Sequence, residues 1–130
     1  MSSKINLVIS ADHGGYELKE ELKIFLIENY LNINVIDVGA HKFDALDDFP
    51  DMTSELSKKI FEGEADKGIA ICGSGVGASM VANKNKGIRA AVCHDVYSAS
   101  QGVEHNNMNV LCMGGRVVDI EEAKSIVDSF

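Results

Sequence analysis

The chain has 130 residues, 45% hydrophobic and 25% charged, with a single proline. That is the length of one domain and the composition of a folded globule, so a two-domain enzyme and a disordered segment are both excluded. Lys and Arg total 12 against 20 Asp and Glu, a formal charge of -8, which argues against broad electrostatic binding to nucleic acid or an anionic membrane surface. An anionic substrate would need a local positive pocket.

The first element in chain order is an apolar run, Ile5–Ser10, read as a strand. It follows Met1-Ser2-Ser3-Lys4 directly, without the apolar core and cleavage site of a signal peptide. Tyr16–Tyr30 reads as a helix, since Leu18, Leu22, Phe25 and Leu26 fall at i, i+4, i+7 and i+8 and line one face. Asn34–Val38 is the second strand; after it Met52, Leu56 and Ile60 recur every fourth residue, the inner face of a second helix with Lys58, Lys59 and Glu62 outside. Strands Gly68–Cys72, Arg89–Cys93 and Asn109–Met113 alternate with helices Val76–Asn85, Tyr97–Glu104 and Ile120–Ser129, the last begun by Asp119 as N-cap. Five such units predict an α/β fold: a parallel five-stranded open sheet wrapped by helices, doubly wound, in the order 2-1-3-4-5. The apolar runs fall far short of the roughly 20 residues that cross a bilayer. Cys72, Cys93 and Cys112 have no zinc spacing and no C-x-x-C pair. A single cytoplasmic domain, residues 1–130, with free thiols is expected.

In a doubly wound sheet ligands sit beyond the carboxyl ends of the strands where the winding reverses, here between strands one and three. That directs attention to two loops, Ala11–Gly15 and Gly73–Gly77. Strand three ends at Cys72 and runs into Gly73-Ser74-Gly75-Val76-Gly77, which opens a helix. Glycines there let backbone N–H groups turn around an anion, and a helix N-terminus adds about half a positive charge. A thiolate at such a place is stabilised by the same dipoles. Cys72 is therefore a candidate nucleophile or base; the competing reading is a small buried hydrophobe beside a tight turn. Cys93 and Cys112 lie inside strands and read as core. Asp12 and His13 form an acid–base or hydrogen-bonding pair, or else Asp12 caps the first helix. His105, before Asn106 and Asn107, is either a site residue or an ordinary C-terminal helix residue. Arg116, after Gly114-Gly115, is the best-placed cation for a phosphate, or a surface residue. His41 and His94 read as surface loop residues.

Taken together, Ala11-Asp12-His13, Asp48-Phe49-Pro50, Ile71-Cys72-Gly73-Ser74-Gly75-Val76-Gly77, Ala82-Asn83-Lys84, Gly87-Ile88-Arg89-Ala90, Tyr97-Ser98-Ala99, His105-Asn106 and Gly114-Gly115-Arg116-Val117-Val118 resemble the type B ribose-5-phosphate isomerases and the related galactose-6-phosphate isomerase subunits. The resemblance spans essentially the whole chain. It implies an aldose–ketose isomerase of carbohydrate metabolism, most directly ribose 5-phosphate to ribulose 5-phosphate in the pentose phosphate pathway. It further implies a Rossmann-like three-layer α/β/α subunit, no metal or organic cofactor, and a homodimer, often paired into a tetramer, with each active site shared between subunits. By that resemblance Cys72 is the base that moves the carbon-bound proton, the N–H groups of Gly73, Gly75, Val76 and Gly77 hold the enediolate oxygen, and Ser74 relays protons. Asp12 and His105 assist ring opening, His105 and Asn106 coming from the partner, while His13 and Arg116 hold the phosphate. Members commonly continue beyond the last helix with a basic tail, whereas this sequence reads to Phe130 and shows no such arginines; Phe49 stands where a tyrosine is usual. Loop Gly39–Asp48, with His41, Lys42, Phe43 and Asp44, also departs from the ribose enzymes, so a different sugar phosphate (allose, galactose or a tetrose) is the alternative substrate. Retention of Cys72 favours a catalytic subunit over the galactose type, which lacks that thiol.

Two other classes compete. Gly73-x-Gly75-x-x-Ala78 with Asp95 about 20 residues on formally meets a dinucleotide fingerprint, but it follows strand three instead of strand one and leaves no room for a substrate domain. A response-regulator switch would need a phosphoacceptor carboxylate after strand three and a lysine after strand five, where Cys72 and Met113 stand. A non-catalytic sugar-phosphate sensor is the remaining alternative.

Overall fold

Strands and helices alternate throughout the computed structural model, which describes residues 4–42, 44 and 49–130. The elements are β1 (Ile5–Ala11), α1 (Tyr16–Asn29), β2 (Ile33–Asp37), α2 (Phe49–Phe61), β3 (Lys67–Cys72), α3 (Val76–Asn83), β4 (Ala90–Val92), α4 (Val96–Asn106), β5 (Val110–Gly114) and α5 (Ile120–Ser129). All strand pairs are parallel, with Val8 opposite Gly68 and Ile69 opposite Leu111. Side chains alternate between the two faces, as the pleat requires. Leu7, Ile9, Ile69, Ile71, Leu111 and Met113 face one apolar layer, whereas Val8, Ala70, Cys72, Val110 and Cys112 face the other.

The strand order is 2-1-3-5-4, not the expected 2-1-3-4-5. The reversal between β1 and β3 stands, but β4 lies at the edge and β5 inside. Handedness explains the difference. Right-handed crossovers put the helix of a step in one direction on one face and the helix of a return step on the other. Here α2 packs on α3 on one side, and α5 packs on both α1 and α4 on the opposite side. With α4 on the α1 face, the step from β4 to β5 must run back toward the centre. Burial agrees, since all five residues of Val110–Gly114 are buried whereas Ala90–Val92 is short and none of its residues is buried.

The capping prediction at α5 is borne out in full: the Glu122 N–H donates to Asp119 Oδ1 at 2.8 Å, and the Asp119 N–H donates to Glu122 Oε1 at 3.1 Å. In α1, Leu18, Leu22 and Leu26 are buried as the helical period requires. Lys19 is buried with them, which the period does not foretell. No helix among the described residues is long and apolar enough to cross a membrane.

Candidate active site

At the carboxyl edge of the sheet the chain leaves β1 for α1 on one face and leaves β3 for α3 on the other, the place where doubly wound sheets bind their ligands. Three turns meet there, backbone on backbone. The Asp12 N–H donates to Ile71 O at 3.3 Å, the Gly115 N–H to Cys72 O at 2.8 Å, and the Arg116 N–H to Gly73 O at 3.1 Å. Glycine is required by this closeness: a Cβ on Gly14 would lie 2.8 Å from Gly73 N, and one on Gly115 would lie 2.3 Å from Gly14 O. The turns after β1, β3 and β5 thus form one rigid cradle.

Cys72 occupies its floor. The side chain points to the α3 side of the sheet, is 4% exposed, and its Sγ accepts a hydrogen bond from the Gly75 N–H at 3.1 Å. Gly75 is the N-cap of α3 in the left-handed conformation, φ 84°, which turns its amide back onto the sulfur. The leading N–H groups of α3 have no intrahelical partner, as at any helix start, and face the cradle with the positive end of the helix dipole. The Ser74 hydroxyl accepts from the Val76 N–H at 3.3 Å, a local turn that an incoming anion must displace.

Asp12 is buried at the neighbouring strand end, and its Oδ1 accepts from the Gly14 N–H at 2.8 Å. It does not cap α1, whose N-cap is Gly15 without a side-chain bond. His13 is half-buried beside it. The Arg116 guanidinium lies over the glycine turn, with Nη1 3.3 Å from where a Gly73 Cβ would be. Asp12, His13, Cys72, residues 73–77 and Arg116 are therefore brought together. His105 and Asn106 are not: they end α4, exposed, at the amino edge of the sheet, the whole length of β5 away, roughly 15 Å at about 3.3 Å per strand residue. The cap of that helix is Asn107, φ 52°.

His94 is a correction. Half-buried instead of a free surface residue, it accepts the Gly114 N–H on Nε2 at 3.0 Å and so supports the turn that holds Cys72. The available signal was its place directly after β4, on the ligand-binding edge. His41 is exposed, as expected. Phe43 and residues 45–48 of loop Gly39–Asp48 lie outside the described residues. Cys93 and Cys112 are core, as expected. Burial, then the Asp95 charge, pushes the Cys93 thiol up, and burial, then the neighbouring cysteines, pushes Cys112 up further. Both stay protonated. Among the described residues no cluster of His, Cys, Asp or Glu is arranged to hold a metal.

Comparison with known proteins places the chain in a family. A family model described as Ribose/Galactose Isomerase matches residues 7–130. Ribose-5-phosphate isomerase B of Escherichia coli is 44% identical over 124 residues, 95% of this chain and 81% of that protein. D-erythrulose-4-phosphate isomerase 2 of Mycolicibacterium smegmatis is 42% identical over 95% of this chain and 81% of its own. The crystal structure of ribose-5-phosphate isomerase B from Mycoplasma genitalium with bound ribulose 5-phosphate superposes with a TM-score of 0.91 at 39% identity, covering 99% of this chain and 84% of that one. The protein described here is an aldose–ketose isomerase and belongs to the ribose/galactose isomerase family.

Proposed function

We propose that the enzyme interconverts ribose 5-phosphate and ribulose 5-phosphate through an enediolate, with Cys72 as the base. The observation that carries this reading is the Cys72 sulfur held by the Gly75 amide at 3.1 Å, beneath the amide-lined start of α3. In the ring-opening step, Asp12 and His105 move the proton from the anomeric hydroxyl to the ring oxygen, and the bond between C1 and that oxygen breaks. The Cys72 thiolate takes the proton from C2, and the electron pair passes to the carbonyl oxygen, where the N–H groups of Gly73, Gly75, Val76 and Gly77 hold the negative charge. Ser74 carries a proton from the oxygen on C2 to the oxygen on C1. The thiol returns its proton to C1, giving the ketose. His13 and Arg116 hold the phosphate, the local positive pocket that an acidic protein needs for an anionic substrate.

A test is to offer ribose, allose, galactose and erythrulose phosphates, with their unphosphorylated forms, to the metal-free protein. We expect ribose 5-phosphate to have the highest kcat/KM. A tetrose phosphate in first place would move the assignment to the erythrulose-type reaction of the Mycolicibacterium relative, and loop Gly39–Asp48 is where the sugars would be told apart.

The same reading needs a second copy of the chain, because His105 and Asn106 lie at the wrong end of the sheet to serve their own Cys72. Exposed apolar side chains near the site support a homodimer: Val76 and Met80, one turn apart on α3, are 52% and 63% exposed. If the site is shared, Cys72→Ala and His105→Ala are each inactive alone, but mixing them after dissociation and reassembly restores about a quarter of normal activity, because half the dimers are mixed and each holds one intact site. Strict inactivity of the reassembled mixture would mean that His105 serves the Cys72 of its own chain and that the site is not shared, whereas full activity of His105→Ala alone would place His105 outside the reaction.

A further inference from the structure

Lys19 has the most unusual environment of any charged residue in the described chain: its side chain is 0% exposed, in a helix face otherwise made of leucines. A buried ammonium persists only where its charge and donors are met. Its Nζ donates to Asp37 Oδ2 at 2.7 Å and to the Ala40 carbonyl at 2.6 Å, and stands 5.4 Å from the centre of the Tyr16 ring. Asp37 in turn accepts from Lys23 Nζ at 2.6 Å and, on Oδ1, from the Gly39 N–H at 2.9 Å. Burial alone would raise the Asp37 carboxyl, but the hydrogen bonds from Lys19, Lys23 and Gly39 outweigh it and hold the group below the usual carboxylate range.

All these bonds converge on the few residues where β2 ends. That segment is clamped to β1 as well: the Ala11 N–H donates to Gly39 O at 2.8 Å, and the Ala40 N–H donates to Ala11 O at 2.7 Å. Ala11 directly precedes Asp12. Beyond the clamp, residues 38–42 with Asp44 and Met52 line a cavity of about 440 Å³ at the same carboxyl edge as Cys72. The cavity therefore flanks the catalytic cradle on its β2 side, and Lys19 bonds the backbone that forms its wall without being exposed to its contents.

We propose that Lys19 is a positioning residue for sugar selection, its ammonium fixing the Gly39–Lys42 wall of the cavity beside the sugar carbons that lie between C2 and the phosphate. This rests on the isomerase reading above, in which the cradle takes C1 and C2 and His13 and Arg116 take the phosphate, so that the carbons between them pass along the β1 and β2 ends. A displaced wall changes how well a pentose is distinguished from a tetrose, while the chemistry at Cys72 proceeds as before.

The test compares wild type, Lys19→Met and Asp37→Asn in steady-state kinetics with ribose 5-phosphate and erythrulose 4-phosphate. Lys19→Met keeps the length of the side chain and removes its charge and donors; Asp37→Asn removes the negative charge and leaves one oxygen, which can serve the lysines or the Gly39 N–H but not both, and it decides the matter should Lys19→Met fail to fold. In Lys19→Met we expect KM for the preferred sugar to rise about tenfold, kcat to stay within about threefold, and the ratio of kcat/KM between the two sugars to shrink about tenfold; in Asp37→Asn the same changes are smaller. The double variant should be less altered than the sum of the two single changes, because the two side chains share one contact. Unchanged KM and unchanged selectivity in the folded variants would overturn the proposal, leaving Lys19 a purely structural residue. An equal fall of kcat for both sugars at constant KM would overturn it too. Wild-type protein that turns over neither sugar would instead refute the substrate reading, and the proposal with it.

Discussion

Replacing Cys72 by alanine is expected to lower kcat for ribose 5-phosphate by about 10²–10⁴, the range over which a positioned acid or base acts, while the protein remains folded. The two consequences are separable because the side chain is small. Removing one buried sulfur costs about 1 kcal/mol of packing, and the β3 register, set by pairing with β1 and β5 on either side, does not depend on it. Alanine leaves the Gly75 N–H without the sulfur that accepts from it. Cys72→Ser supplies the control, since a hydroxyl oxygen still accepts from that amide, yet a serine alkoxide is far too basic to form readily at neutral pH. Both variants should therefore show the same large fall in kcat, with a melting temperature lowered by no more than about 5 °C in Cys72→Ala and less in Cys72→Ser. Full activity of Cys72→Ser would mean that the sulfur only shapes the turn. Cys93 and Cys112 serve as internal comparisons: burial holds both thiols in the protonated form, so alanine at either should affect packing and leave kcat nearly as it was.

Gly75→Ala is expected to reduce kcat by about 10²–10³, the usual effect of losing one donor to a developing oxyanion, and to do so without removing any side chain. Two constraints coincide at this residue. Its φ of 84° lies in the left-handed region, which costs an L-residue with a Cβ roughly 1–2 kcal/mol. A Cβ would also stand 2.9 Å from the Met113 carbonyl carbon and 3.2 Å from Gly114 N, both backbone atoms of the buried central strand β5 that cannot swing aside. The turn must shift, and with it the amide that meets Cys72 Sγ and the first amides of α3. Gly87 is the control: it has the same φ of 84°, but a methyl group there would meet nothing within 4 Å. Gly87→Ala should thus share the strain and leave kcat intact. If Gly75→Ala lowers activity no more than Gly87→Ala, the amides of this turn do not hold the transition-state charge.

The elements themselves were legible because each carries its own period. Leu18, Leu22 and Leu26 mark α1, and the alternation of Ile69 and Ile71 with Ala70 and Cys72 places β3 with both faces covered. The order of β4 and β5 was not legible to the same degree, since both are short apolar runs and their positions depend on which face α4 packs against, a tertiary choice. The site divides in the same way. Cys72 and the glycines after it stand next to one another in sequence, so their chemistry can be read locally. Gly114 and Gly115 matter for a reason no local pattern contains, namely that three turns from three strands pack backbone to backbone. Lys19 and His94 were hidden for that reason as well: their partners, Asp37 with Ala40 and Gly114, are about 20 residues away.

The central claim is that the sulfur of Cys72 carries the proton between C2 and C1, and heavy water tests it most directly. Wild-type protein incubated with ribose 5-phosphate in deuterium oxide should introduce solvent deuterium into the sugar at those carbons, followed by proton NMR, whereas Cys72→Ala should leave the carbon-bound hydrogens in place over the same time. Deuterium appearing at an undiminished rate with Cys72→Ala would contradict the account, and the base would have to be sought among the other groups of the cradle.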